Sequence, residues 1–211
     1  MSDALPAIQT TRKSGAERFR AGSADLGFHL LNFWQWSASD LIGNTARGVL
    51  AEYLVARALG LSTAGVRDEW APYDLLTPNG LKVQVKSAAY LQSWHQVRMS
   101  SIVFKTKATR SWDPLTGKVS PQPTREADVY VFALLAHKDK KTLDPMDVEQ
   151  WRFYVAPCSL LDAYRRSQDS ITLRSLEGLG VRAVSFSELA QEFECCAKEL
   201  KRRAASGDAI H

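Results

Sequence analysis

Residues Tyr73 to Ser87 read YDLLTPNGLKVQVKS, and the register of this stretch decides the fold. Two apolar runs flank Pro78-Asn79-Gly80. Proline suits the first position of a type I turn, and glycine takes the left-handed conformation that closes a three-residue hairpin loop. In that register Thr77 pairs with Leu81, Leu75 with Val83 and Tyr73 with Val85, which makes one coherent apolar face. Asp74 then falls opposite Gln84, with Lys86 two residues further along the same face. A two-residue loop would set Leu75 opposite Lys82 and split the apolar set. The pattern therefore gathers an acid, an amide and an amine on one side of a small sheet.

Upstream, TARGVLAEYLVARALG predicts a helix, with Asn44 as its cap and Gly60 as its C-terminal stop. Glu52 shares its side of the helical wheel with Thr45, Gly48, Val49, Val55, Ala56 and Leu59. A carboxylate on such a packing face must be paired, protonated or bound to a cation, because an unpaired buried charge is costly. A salt bridge to Lys86 or another base is the ordinary alternative to a functional role.

Downstream, SSIVFKT, ADVYVFALLA and WRFYVAP have the β-branched and aromatic content of strands. SLLDAYRRS predicts a short helix, SITL a short strand, and SELAQEFECCAKELKRRA an amphipathic C-terminal helix. Residues 1–22 are polar and without periodicity, and are expected to form a mobile arm. Ser23 is expected to cap a helix running to Trp36, whose aromatics, Phe33, Trp34 and Trp36, suit a core more often than a base-stacking platform. Residues 23–211 are expected to form a single domain. This order of elements predicts an α/β fold with a mixed sheet flanked by helices.

The 211 residues suffice for one sizeable core. No apolar run approaches the length of a membrane helix, and the first twenty residues lack the apolar segment of a secretory signal. A cytoplasmic location and no membrane partner are expected. Three cysteines, two of them adjacent, do not form a disulfide framework. The scattered histidines lack zinc-site spacing. The net charge of +4 mildly favours a polyanionic partner. Between Val97 and Arg125 lie Arg98, Lys105, Lys107, Arg110, Lys118 and Arg125, against the single acid Asp113, with Trp112 among them. Such a stretch can follow a phosphate backbone, or be a solvated loop.

Glu52, Asp74 and the amide oxygen of Gln84, with a carbonyl such as that of Val85, are hard oxygen donors of the kind Mg2+ takes. Lys86 beside them could orient a water or offset negative charge developing on a phosphate. These parts suit phosphodiester hydrolysis.

At these residues the sequence resembles the PD-(D/E)xK nuclease superfamily, which includes restriction endonucleases and Holliday-junction resolvases. GVLAEYLVARALG matches the helix glutamate with Glu52, PYDLLTPNG the aspartate with Asp74, and VQVKS the lysine with Lys86. Gln84 stands where that family usually has Glu or Asp. The resemblance covers roughly Asn44 to Pro157. It implies a restriction endonuclease-like core and DNA cleavage with Mg2+ or Mn2+, and leaves a homodimer open. Because Gln84 removes one negative charge, metal affinity should fall. Two other functions stay in view: a DNA-binding module that has lost catalysis, and a protein-interaction subunit whose acids are merely salt-bridged. Ser87 is expected to be a structural hydroxyl, Asp68 and Glu69 surface acids, Asp128 an edge acid and His95 a surface residue.

Overall fold

The structure, a computed structural model, describes Leu5, residues 8–113 and residues 116–206. Its centre is a four-stranded mixed sheet. In chain order these strands are β3 (Leu75–Leu76), β4 (Lys82–Ala89), β6 (Val129–Leu135) and β7 (Trp151–Pro157), and they lie side by side in that order. β4 and β6 run parallel, and the other two pairings are antiparallel. Every residue of β6 is buried, as expected of a strand covered on both faces.

Alternation along β4 separates two cores. Val83, Val85 and Ala89 face one side, with Val131, Ala133, Phe153 and Val155. Two helices cover that side, α2 (Asn44–Ala58) through Ala51, Leu54 and Val55, and α5 (Leu189–Ser206) through Leu189, Phe193 and Ala197. The spacing of three and four residues puts each set on one helical stripe. Ala88, Tyr130, Phe132, Leu134 and Tyr154 face the other side. A small two-stranded sheet, β5 (Val103–Lys105) with β8 (Ser170–Thr172), and two short helices, α3 (Cys158–Ala163) and α4 (Leu173–Gly178), close it. The expected α/β architecture of a mixed sheet flanked by helices is what the chain adopts.

The hairpin register is the expected one. Leu75 pairs with Val83, the Thr77 N–H donates to the Leu81 carbonyl, and Gly80 has φ +80°. The ladder stops earlier than expected, however. The Asp74 N–H donates to the Val83 carbonyl at 3.0 Å, and Tyr73 packs into the opposite core rather than beside Leu75. The expected Tyr73–Val85 pair is therefore replaced. Past Leu75, the edge of β4 has no strand beside it.

The N-terminal region differs more. Ser23 caps no helix. It lies in a tight turn between β1 (Arg18–Ala21) and β2 (Ala24–His29), where Gly22 has φ +59°. The helix α1 begins only at Leu30 and ends at Ala38. Residues 18–21 of the expected arm are thus a strand. Phe19 stacks on Phe28 across the hairpin, with ring centroids 4.8 Å apart. The expectation of a core role for Phe33, Trp34 and Trp36 does not hold, since no residue of α1 is buried. No helix among the described residues is long and apolar enough to cross a membrane.

Candidate active site

The short length of β3 creates the site. Where the chain leaves the sheet at Asp74, the β4 edge needs a new partner for its N–H groups. In a ladder with Thr77 bonded to Leu81, the Val85 N–H would reach the Tyr73 carbonyl. Instead it donates to Asp74 Oδ2 at 2.6 Å. The Gln84 side-chain amide donates to the same oxygen. Among the described residues Asp74 Oδ1 has no hydrogen-bond partner, and no described side-chain oxygen that lacks one is sealed from solvent. It is therefore an open acceptor.

Burial pushes the Asp74 carboxyl above the usual carboxylate range. The Val85 N–H pulls it down, the Glu52 charge pushes it up, and Lys86 and Arg67 pull it down again. Four charged groups thus act on one another here. Glu52 projects from α2, and Lys86 from the opposite face of β4 to Val85. They meet Asp74 at the open sheet edge, so the group converges around an edge rather than across one face. Lys86 is half-buried and makes no hydrogen bond or ion pair with a described side chain.

Glu52 is paired as its place on a packing face requires, but with Arg67 rather than Lys86. Arg67 Nε and Nη2 donate to its two carboxylate oxygens at 2.5 and 2.9 Å. This forked geometry is the strong form of the pair, and it raises the Arg67 pKa. Glu52, Arg67, Asp68 and Asp74 line one cleft of about 370 Å³, walled by Val49, Tyr53 and Leu75 among others. Asp68 also accepts from the Trp70 N–H at 2.9 Å, as a turn acid does.

Neighbouring residues take the structural roles expected of them. The Ser87 hydroxyl accepts from Arg47 Nε at 3.2 Å. Arg47 is itself buried and also donates to Ile42, Asn44 and Gln92. It ties the start of α2 to β4 immediately beside Lys86. Asp128 accepts the Lys82 N–H at 2.8 Å.

Of the basic stretch, Arg98, Lys105, Lys107, Arg110 and Lys118 are exposed. Arg125 is different. Its side chain is 6% exposed, and its guanidinium donates to Thr106, Asp162 and Gln168. It braces loops and offers nothing to a phosphate. Trp112 of this stretch meets Trp70 edge-on, with centroids 5.3 Å apart, which brings the basic segment against the loop that carries Arg67.

Among the described residues, no group of three or more His, Cys, Asp and Glu side chains is placed to hold a metal ion. The donors at this edge are two carboxylates and an amide. All are hard oxygens, and a divalent cation would relieve both causes that raise the Asp74 pKa. The donor set thus fits a hard cation, although Glu52 is free for one only when Arg67 lets go.

The family model of bacteriophage T4 endonuclease IV matches residues 5–174. The chain belongs to that family. The match spans most of the chain and contains Glu52, Arg67, Asp74, Gln84 and Lys86. It stops short of α5, so the covering helix lies outside the matched part of this endonuclease IV family member. No curated protein matches the sequence.

Proposed function

We propose that this chain is a DNA endonuclease of PD-(D/E)xK type that hydrolyses phosphodiester bonds with Mg2+ or Mn2+. The observation that carries this reading is the edge cluster of Asp74, Gln84, Lys86 and Glu52 in a chain of the T4 endonuclease IV family.

Asp74 Oδ1, Gln84 Oε1 and a carboxylate oxygen of Glu52 would hold the cation, with the Val85 carbonyl as a backbone donor. When bound, such a cation lowers the pKa of a water and offsets charge on a phosphate. The Val85 N–H and the Gln84 amide fix Asp74 in place, so its open oxygen keeps one direction. The Lys86 ammonium, held by no partner among the described residues, donates to the attacking water or to the developing negative charge. Arg67 neutralises Glu52 while the cleft is empty, and once released presents its donors to the substrate phosphate. Arg98, Lys105, Lys107, Arg110 and Lys118 supply sequence-independent contacts to the backbone.

One observation favours a second reading, a DNA-binding module without cleavage. Both Glu52 oxygens are already engaged, and the resemblance to PD-(D/E)xK nucleases would set an acid where Gln84 stands. The two readings part in a single assay. Purified protein is incubated with supercoiled, linear, single-stranded and branched DNA, with Mg2+, Mn2+ or chelator, beside Asp74→Ala and Lys86→Ala. Cation-dependent cutting lost in both variants supports the endonuclease. Salt-sensitive binding with no cutting supports the module.

A further inference from the structure

A second cavity, about 770 Å³, opens beside the acidic cleft and is lined by Thr11, Arg12, Lys13, Ser14, Trp34, Gly65 and Val66. Gly65 and Val66 also line the cleft of Glu52 and Asp74, so the two hollows share a wall. Among the described residues, no acid lines the second one. Its floor is a fixed ring. Gly15 has φ +93°, and a Cβ built there would lie 3.1 Å from Trp34 Cζ3, so the backbone fits against the indole only as glycine. The Leu31 and Leu30 N–H groups donate to the Gly15 and Glu17 carbonyls at 2.9 Å. Arg12 Nη1 donates to the Ala64 carbonyl at 3.2 Å, which ties this segment to the loop before Arg67. Trp34 remains 37% exposed. The nearest carboxylate on the same segment, Glu17, is occupied by Ser14 and Gly15.

We propose that Arg12, Lys13 and Trp34 form a subsite for the nucleotide next to the cleaved phosphate. This rests on the endonuclease reading, because the shared wall makes the second cavity the continuation of the cleft. The two cations receive a phosphate, and the indole face receives an unstacked base. An aromatic face with adjacent positive charge and no acid matches a nucleotide better than an acidic peptide or an apolar partner. The segment expected to be a mobile arm then becomes part of the substrate surface.

The test uses the full chain carrying Asp74→Asn, so that binding is read without cutting. Anisotropy of a labelled single-stranded oligonucleotide is followed against salt, with a duplex of the same sequence and a free mononucleotide as further arms. Adding Trp34→Ala should weaken oligonucleotide binding roughly 5- to 150-fold, the range for one lost stacked base, and Trp34→Phe should restore most of it. Adding Arg12→Gln with Lys13→Gln should lower the slope of log affinity against log salt by about one per lost contact. Unchanged affinity and slope in the double glutamine variant, with an unchanged Tm showing that loss of the Arg12–Ala64 bond leaves the fold in place, overturns the proposal even if Trp34→Ala does not fold. Displacement by the free mononucleotide as effective as by the oligonucleotide also overturns it, since the cavity would then be a separate nucleotide site. Cutting is assayed alongside in chains with native Asp74. Absence of cutting by the unsubstituted protein rejects the endonuclease reading. Normal cutting with unchanged KM in the Arg12/Lys13 variant rejects the subsite alone.

Discussion

Arg67 holds both carboxylate oxygens of Glu52, at 2.5 and 2.9 Å, across the mouth of the acidic cleft. A cation seeking Glu52 must compete with this guanidinium. Arg67→Ala should therefore lower the cation-free Tm, because Glu52 loses its partner. A pair with one partly exposed member contributes about 1 kcal/mol, or a fall of roughly 2–4 °C for a chain of this size. The same variant should show a larger rise in Tm on adding Mn2+ than the unsubstituted protein, since a ligand of the native state stabilises it. Thermal melts with and without Mn2+ check both. An Mn2+ response smaller than that of the parent would place Arg67 on the side of cation binding instead.

The Asp74 carboxyl is raised chiefly by burial. A raised acid contributes stability below its unfolded pKa and loses it as pH rises through the folded value. In the cation-free protein, ionised Asp74 is thus a cost at neutral pH. Asp74→Asn should melt higher than the parent at pH 7, with the gap closing as pH falls toward and below the ordinary aspartate value. Melting curves across pH measure this directly. Catalysis needs the ionised form, and a bound cation would relieve the causes that raise this carboxyl, so the acid limit of cutting should move to lower pH as Mn2+ concentration rises.

Gln84→Glu sets two carboxylates where an amide now donates to Asp74. Without cation the variant should lose roughly 1 kcal/mol through like-charge repulsion between neighbours. With Mn2+ it should recover more than the parent does, because a third charged ligand tightens a hard-cation site. Calorimetric titration of both proteins with Mn2+ compares the affinities.

The basic stretch divides in two. Arg125→Ala should destabilise by about 1–3 kcal/mol, because the carbonyl of buried Thr106 loses its partner and the loops of Asp162 and Gln168 lose their brace. Lys105→Ala with Lys107→Ala should leave the melting curve in place while weakening DNA binding and flattening its salt dependence. Urea melts and binding against salt separate the two classes.

Much of the sheet was legible because apolar alternation fixes register: Leu75, Val83 and Val85 admit one pairing, and that pairing puts Asp74 by Gln84. The end of the ladder was not legible. Tyr73 alternates correctly with Leu75, and the packing of its ring against the opposite core takes the chain away from the ladder. Arg67 escaped notice because it meets Glu52 across a loop without periodicity, where sequence spacing carries no contact information. The hairpin of β1 and β2 did leave a signal. Gly22-Ser23 is a two-residue turn of the hairpin kind, set between Phe19 and Phe28, but the apolar bulk of the next helix masked it. Arg125 looked like its neighbours because charge pattern alone does not distinguish a solvated arginine from one that braces loops.

The most direct test of the central claim is cleavage of DNA by the purified chain with Mn2+, compared with chelator and with Lys86→Ala. Among the described residues Lys86 has no hydrogen-bond or ion-pair partner to lose, so its variant should fold normally. Cutting is expected with Mn2+, none with chelator, and a loss of at least about 100-fold in the variant, the scale of one lost transition-state donor. Cutting that persists in Lys86→Ala or in chelator would contradict it.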